Sequence, residues 1–115
     1  MSKQTGFYDS LIRNIKLSLY VSAPAKVLKY NSGAHTASVQ PLFLTVDSND
    51  NVDDWPLVED APVLKHVGDL APGNVVLLLF ADRAIDNMHG ADMIDPDSTR
   101  THDLTDAFVI GVIQT

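Results

Sequence analysis

Apolar residues recur at helical spacing near the start of the chain. Tyr8, Leu11, Ile12, Ile15 and Leu19 stand at i, i+3, i+4, i+7 and i+11. That spacing predicts a helix over residues 6–20 with one continuous apolar stripe. Thr5 is the expected N-cap, Asp9 falls in the expected first turn, and Lys16 lies near the C-terminal end, where the helix dipole favours a cation. A stripe of this kind has to be covered, either by the domain or by a partner.

After Pro24, expected to end the helix, the period changes to two. Val27, Leu28 and Tyr30 predict a strand from Ala25, and Asn31-Ser32-Gly33-Ala34 predicts a turn. A second strand is expected across Thr36–Val46, with Pro41 at an edge or a bulge. Residues 25–46 thus form a hairpin with a loop of roughly 4–5 residues. Asp47–Asp54 is polar without periodicity and reads as a loop. Pro62–Val67 reads as a short third strand, and Ala71-Pro72-Gly73-Asn74 as a turn. The unbroken apolar run Val75–Phe80 predicts a central strand buried on both faces. Residues 81–101 form a long Asp-rich loop with room for one helical turn, and Phe108–Ile113 is the last strand. One helix and about five short strands predict a mainly β domain. The economical architecture is a five-stranded OB-fold-like Greek-key barrel with an N-terminal amphipathic helix, and a small sandwich is the alternative. The expected division is a helical docking segment over 1–22 and a barrel over 23–115.

Composition narrows the function classes. At 115 residues and 45% hydrophobic, the chain suits a single packed domain, for which the expected radius of gyration is roughly 13 Å. There is no apolar run of transmembrane length and no signal-peptide segment at the N-terminus. The absence of cysteine excludes disulfides, thiolate metal sites and cysteine nucleophiles. A net charge of −7 weighs against binding to nucleic acid. The charge is also divided. Residues 1–30 hold five basic residues against Asp9, a net of +4, while residues 31–115 hold three against fourteen acids, a net of −11.

Motifs for catalysis or metal binding are incomplete. Asp47–Asn51 opens like a calcium loop, but Val52 replaces the sixth-position glycine and Val58 the twelfth-position glutamate. Asp92, Asp95 and Asp97 gather near His89, but Pro96 splits them and no second histidine is spaced to share a site. His35, His66, His89 and His102 form no local ligand pair. His35 is expected in the hairpin turn and His66 in a strand. No serine sits in a nucleophile elbow, and no glycine-rich phosphate loop is present. Trp55, Tyr20 and Tyr30 are the aromatics available to a polysaccharide-binding module. Residues Thr99–Phe108 pack charge immediately before an apolar strand. They predict a clamp in which Asp103 and Asp106 cap backbone amides and His102 and Arg100 pair with loop acids. Catalytic, cofactor-binding and metal-binding residues are therefore not assigned, and catalysis by the neighbours His102 and Asp103 is the alternative to the clamp.

Three stretches in order resemble the N-terminal OB domain of the baseplate central spike, or membrane-piercing, proteins of contractile-tailed phages. The first is Ala25–Tyr30 leading to Ser38-Val39-Gln40-Pro41-Leu42; the second is Val75–Asn87, with its Asp82-Arg83 and Ile85-Asp86; the third is His102-Asp103-Leu104-Thr105-Asp106 before the final strand. Asp95-Pro96-Asp97-Ser98 fits the same pattern. Only residues 64–74 separate Pro62-Val63 from Val75, so the region is shorter than is usual in that family. The resemblance implies a structural virion component, not an enzyme, in the tail baseplate that works as a homotrimer during penetration of the host envelope. Its implied partners are a tail hub protein and a separate spike tip protein, with no nucleic acid and no stable membrane insertion. Such spikes often carry a His-x-His iron site at the tip. None occurs here, so the expectation is an OB collar without a needle or a tip iron. The expected interface and motif residues are Tyr8, Leu11, Ile12, Ile15 and Leu19 on the helix, with Asp82, Arg83, Asp86, His102, Asp103 and Asp106 on the barrel. The basic helix is expected to meet the acidic 82–97 loop of the next subunit. An OB-type binding module for polysaccharide or single-stranded nucleic acid is the alternative.

Overall fold

The computed structural model describes residues 3–46 and 49–114, apart from the side chains of residues 3–5, 17, 18 and 46. Helix α1 spans Lys3–Ser18. Its start is earlier than the spacing predicted, so Thr5 lies inside the helix instead of capping it, and Asp9 lies beyond the first turn. Lys16 occupies the last turn as expected, and Leu19 stands just past the helix end. The described calcium-loop residues do not include Asp47 and Ser48.

Strand β1 (Ser22–Asn31) is central, with β2 (Thr36–Pro41) on one side and β6 (Val75–Phe80) on the other. Pro24 therefore lies inside a strand. Its carbonyl accepts from the Leu42 amide at 2.9 Å, so its missing N–H also faces the side on which β2 has already ended, and no ladder bond to β6 is lost. Pro41 is the last residue of β2 and lies beyond its last pair with β5, a local edge where the missing N–H costs no ladder bond; no bulge occurs there. The hairpin turn is closed by Asn31, whose side-chain oxygen accepts from the amides of Gly33 and Ala34, each at 3.1 Å. The turn before β6 uses Pro72 and then Gly73 at φ +94°, a conformation that favours glycine.

The expected strand over 36–46 is divided. After β2 the chain leaves the main sheet and forms a small antiparallel flap from β3 (Leu44–Val46) and β4 (Val52–Asp54). Part of the predicted 47–54 loop is thus a strand. The predicted third strand over 62–67 is displaced. Strand β5 spans Val58–Pro62, and Lys65–Val67, including His66, is a 3-10 turn. The reason is a bulge. Ala37 faces Ala61 and Val39 faces Val58, so Ser38 stands opposite both Glu59 and Asp60. Two consecutive polar residues turn outward, Asp60 takes φ +54°, and the alternation that would mark a strand is broken.

Strand β7 (Ala107–Val112) completes the sheet order β5-β2-β1-β6-β7. Further bulges at Leu28 and Ile110 curl it. The two outer strands meet at a parallel bridge between Val63 and Val109, with the Leu64 amide donating to the Val109 carbonyl at 3.1 Å. The result is the curled five-stranded antiparallel sheet of an OB-like fold. Ala25, Val27, Val39, Val58, Val76, Leu78 and Val109 fill its interior. Strand β6 alternates, contrary to the expectation of burial on both faces: Val76, Leu78 and Phe80 point inward, while Leu77 and Leu79 face outward. Residues 81–101 contain turns and no helix. The radius of gyration is 16.7 Å, above the roughly 13 Å of a compact domain of this size, because α1 extends the long axis to 56 Å.

Candidate functional site: the clamped segment and the bare faces

Residues 81–106 connect β6 to β7 and are pinned at their base by backbone bonds. The Ala81 amide donates to the Asp106 carbonyl at 2.7 Å, and the His102 amide donates to the Ala81 carbonyl at 3.1 Å. Asp106 is the buried polar side chain among the described residues. Its carboxylate accepts from Arg100 Nε at 3.0 Å, from Arg100 Nη2 at 2.8 Å and from the Ile85 amide at 3.3 Å. Arg100 Nη2 also donates to Asp86 Oδ2 at 2.8 Å. The hydrogen bonds it donates to Asp106 and then Asp86 hold the guanidinium well above its ordinary range.

Asp103 closes the last turn before β7. It accepts from the Thr105 amide at 2.9 Å and from the Thr105 hydroxyl at 2.7 Å. These bonds, the backbone one first, hold its carboxyl below the usual carboxylate range. His102 takes φ +46° and points away from Asp103. Its Nε2 lies 3.3 Å from Asp82 Oδ1, and its Nδ1 lies 3.2 Å from the Tyr20 carbonyl. Asp82 also receives Arg83 Nη1 at 3.1 Å. Farther out, Asn87 donates to the Asp95 carbonyl at 2.9 Å, and Asp95 accepts from the Asp97 amide at 3.1 Å.

These charged groups are therefore engaged with one another and with backbone amides. The predicted barrel residues fall in three neighbouring groups on this segment: Asp86 and Asp106 around Arg100, Arg83 and His102 around Asp82, and Asp103 with Thr105. The helix residues Tyr8, Leu11, Ile12, Ile15 and Leu19 lie apart from it on an exposed surface, with Tyr8 58% and Ile12 51% exposed. Tyr20 and Trp55 do not form an open stacking platform. They meet edge to face at 5.0 Å between ring centroids, and Tyr20 meets Phe80 at 5.9 Å, against the core.

Two features have no counterpart in the sequence reading. One is a cleft of about 430 Å³ beside Tyr30, His35, Leu64, Lys65 and Asp69. Its Tyr30 hydroxyl donates to Asp69 at 3.2 Å, and the phenol is raised from its ordinary value by desolvation and then by Asp69. The other is the outer face of β6 with its neighbours. Strand register places Ser22 and Phe108 beside Leu79, and Pro24 and Gly111 beside Leu77. These six positions carry no charge.

The sequence over residues 23–111 matches the family model described as the phage protein Gp138 N-terminal domain. No curated protein matches the chain.

Proposed function

As the chain belongs to the family of the phage protein Gp138 N-terminal domain, and is on that ground a phage structural protein domain associated with the virion, we propose that it is the OB collar of the central spike in a contractile-tail baseplate. In this reading three copies surround the tail axis and join the tail hub to a separate piercing tip. The collar acts by assembly and not by catalysis, and it engages neither nucleic acid nor the membrane interior.

The observation that carries this reading is the distribution of apolar surface. The charged network is spent on fixing one long segment to the barrel. The helix stripe and the outer face of β6 remain uncovered, and apolar surfaces of this kind mark sites of association. Burial of such faces around a symmetry axis is a common basis for closed oligomers.

The test is the solution mass by light scattering after size exclusion, at low and high salt. The expected mass is three times the 12.5 kDa chain. A chain that stays monomeric at all concentrations, and also fails to assemble when mixed with the hub protein, would overturn the collar reading.

A further inference from the structure

Helix α1 and the outer face of β6 are both apolar and both bare, and they belong to one chain. Strand register lays the second surface out as two short rows, Ser22–Leu79–Phe108 and Pro24–Leu77–Gly111. Small side chains flank the two leucines. Leu77 and Leu79 are exposed there, and Phe108 is half-buried beside Leu79. Other outward positions are mostly polar or charged, as at Lys26, Lys29, Ser38, Gln40, Glu59 and Asp60, although Leu28 and Val112 are also exposed. An antiparallel sheet whose outer face meets water ordinarily alternates to polar residues there.

Length and charge match as well. A helix of 16 residues is about 24 Å long at the usual rise. Strand β6 has 6 residues and extends about 20 Å. Arg13 and Lys16 lie on α1 beside Ile12, with Asp9 as the one acid among them. The outer face of β6 runs directly into the segment that begins with Asp82 and Asp86, whose carboxylates are 74% and 67% exposed.

The helix does not reach this face within its own chain. The Tyr20 amide donates to the His102 carbonyl at 3.0 Å, and the Phe80 amide donates to the Val21 carbonyl at 3.0 Å. The chain is therefore anchored from Tyr20 onward, which leaves Leu19 as the single joint after Ser18. The Leu19 amide still bonds to the Lys16 carbonyl at 3.4 Å. This continues the helical direction away from the barrel.

We propose that the apolar stripe of α1 is seated on the uncharged patch around Leu77 and Leu79, on the β1–β6–β7 outer face of a second copy of this chain, with Arg13 and Lys16 towards the Asp82 and Asp86 carboxylates of that copy. The seating rests on the collar reading and supplies the contact between its subunits. Each copy donates a helix and receives one, a head-to-tail arrangement that closes when the rotation closes.

The chain lacks cysteine, so introduced cysteines report single contacts. Two full-length variants, Ile12→Cys and Leu79→Cys, are mixed under mild oxidation. The expected product is a disulfide-linked pair containing one chain of each kind, in several-fold excess over either self-pair. Linked pairs of Ile12→Cys with itself alone would show helices packing on helices, and would overturn the proposal. So would a link formed inside one chain by the dilute double variant. A trimer by light scattering with no mixed link would overturn this seating and leave the collar reading intact. An unmodified chain that stays monomeric both alone and when mixed with the hub protein would fail that reading itself. In a second test, Leu77→Asp with Leu79→Asp changes only outward positions. The expected outcome is a fall in mass to a single chain with unchanged β-type circular dichroism, and an unchanged oligomer mass would overturn the proposal.

Discussion

Asp106 accepts three hydrogen bonds while buried, and much of the order in residues 81–106 depends on it. Asp106→Ala leaves the Ile85 amide without its acceptor and Arg100 with Asp86 alone. The expected cost is about 3 kcal/mol of folding stability, read from the urea midpoint. Asp82→Asn removes a carboxylate that stays mostly in water, so the expected change is below about 0.5 kcal/mol. Asp103 adds a pH dependence with a definite sign. Its carboxyl titrates lower in the folded chain than in the unfolded one. Its contribution is therefore complete above the ordinary carboxylate value of about 4 and is lost as pH falls through the lower folded value. Asp103→Asn is expected to flatten the acid side of the stability curve in urea titrations below that pH, with little change in the slope near neutrality. At the cleft, Asp69→Asn removes an acceptor and a charge that raise the Tyr30 phenol. Its ionisation should then move to lower pH in an ultraviolet absorbance titration.

Among the elements, adjacent leucines of β6 serve different surfaces. Leu78 is fully buried, and Leu79 is 44% exposed. Leu78→Ala should cost about 3 kcal/mol through lost burial and the cavity left behind. Leu79→Ala should leave the chain's own unfolding midpoint nearly unchanged while weakening association. Thermal melts at low concentration, paired with light scattering at high concentration, separate the two effects. This difference was hidden in the sequence, because an apolar run reads alike whether its second face is covered by the fold or by a partner. The helix, the first hairpin, the Pro72-Gly73 turn and the final strand were legible from period and turn chemistry. Strand β5 was not, because the bulge at Glu59 and Asp60 removes the alternation that marks a strand. The flap strands β3 and β4 have three residues each, too few to show a period. At the candidate site, the clamp was legible as charge packed before an apolar strand. Which acid would meet which base was not, since Arg100 reaches back fourteen positions to Asp86.

For the molecule as a whole, the sequence divides charge at residue 30, whereas the fold divides it near residue 20. Lys26 and Lys29 belong to β1 and leave α1 with a smaller positive excess than the sequence total suggested. Long-range attraction between helix and acidic segment is accordingly modest, and exposed charges more than about 10 Å apart are screened at ordinary salt. Apolar contact has to supply most of the association, so assembly should weaken only slightly between low and high salt.

The anchoring of Tyr20 and Val21 also has a mechanical meaning. A pull on α1 enters the barrel at the start of β1, the strand held on both sides, by β2 and by β6. Hydrogen bonds to both neighbours lie across that direction, so the load shears many of them together instead of peeling them one after another. Some of the force is diverted at Tyr20 into His102 and from there towards Asp82. In the proposed collar, such a handle on the most firmly held strand would let a thrust be shared before any one bond must carry it.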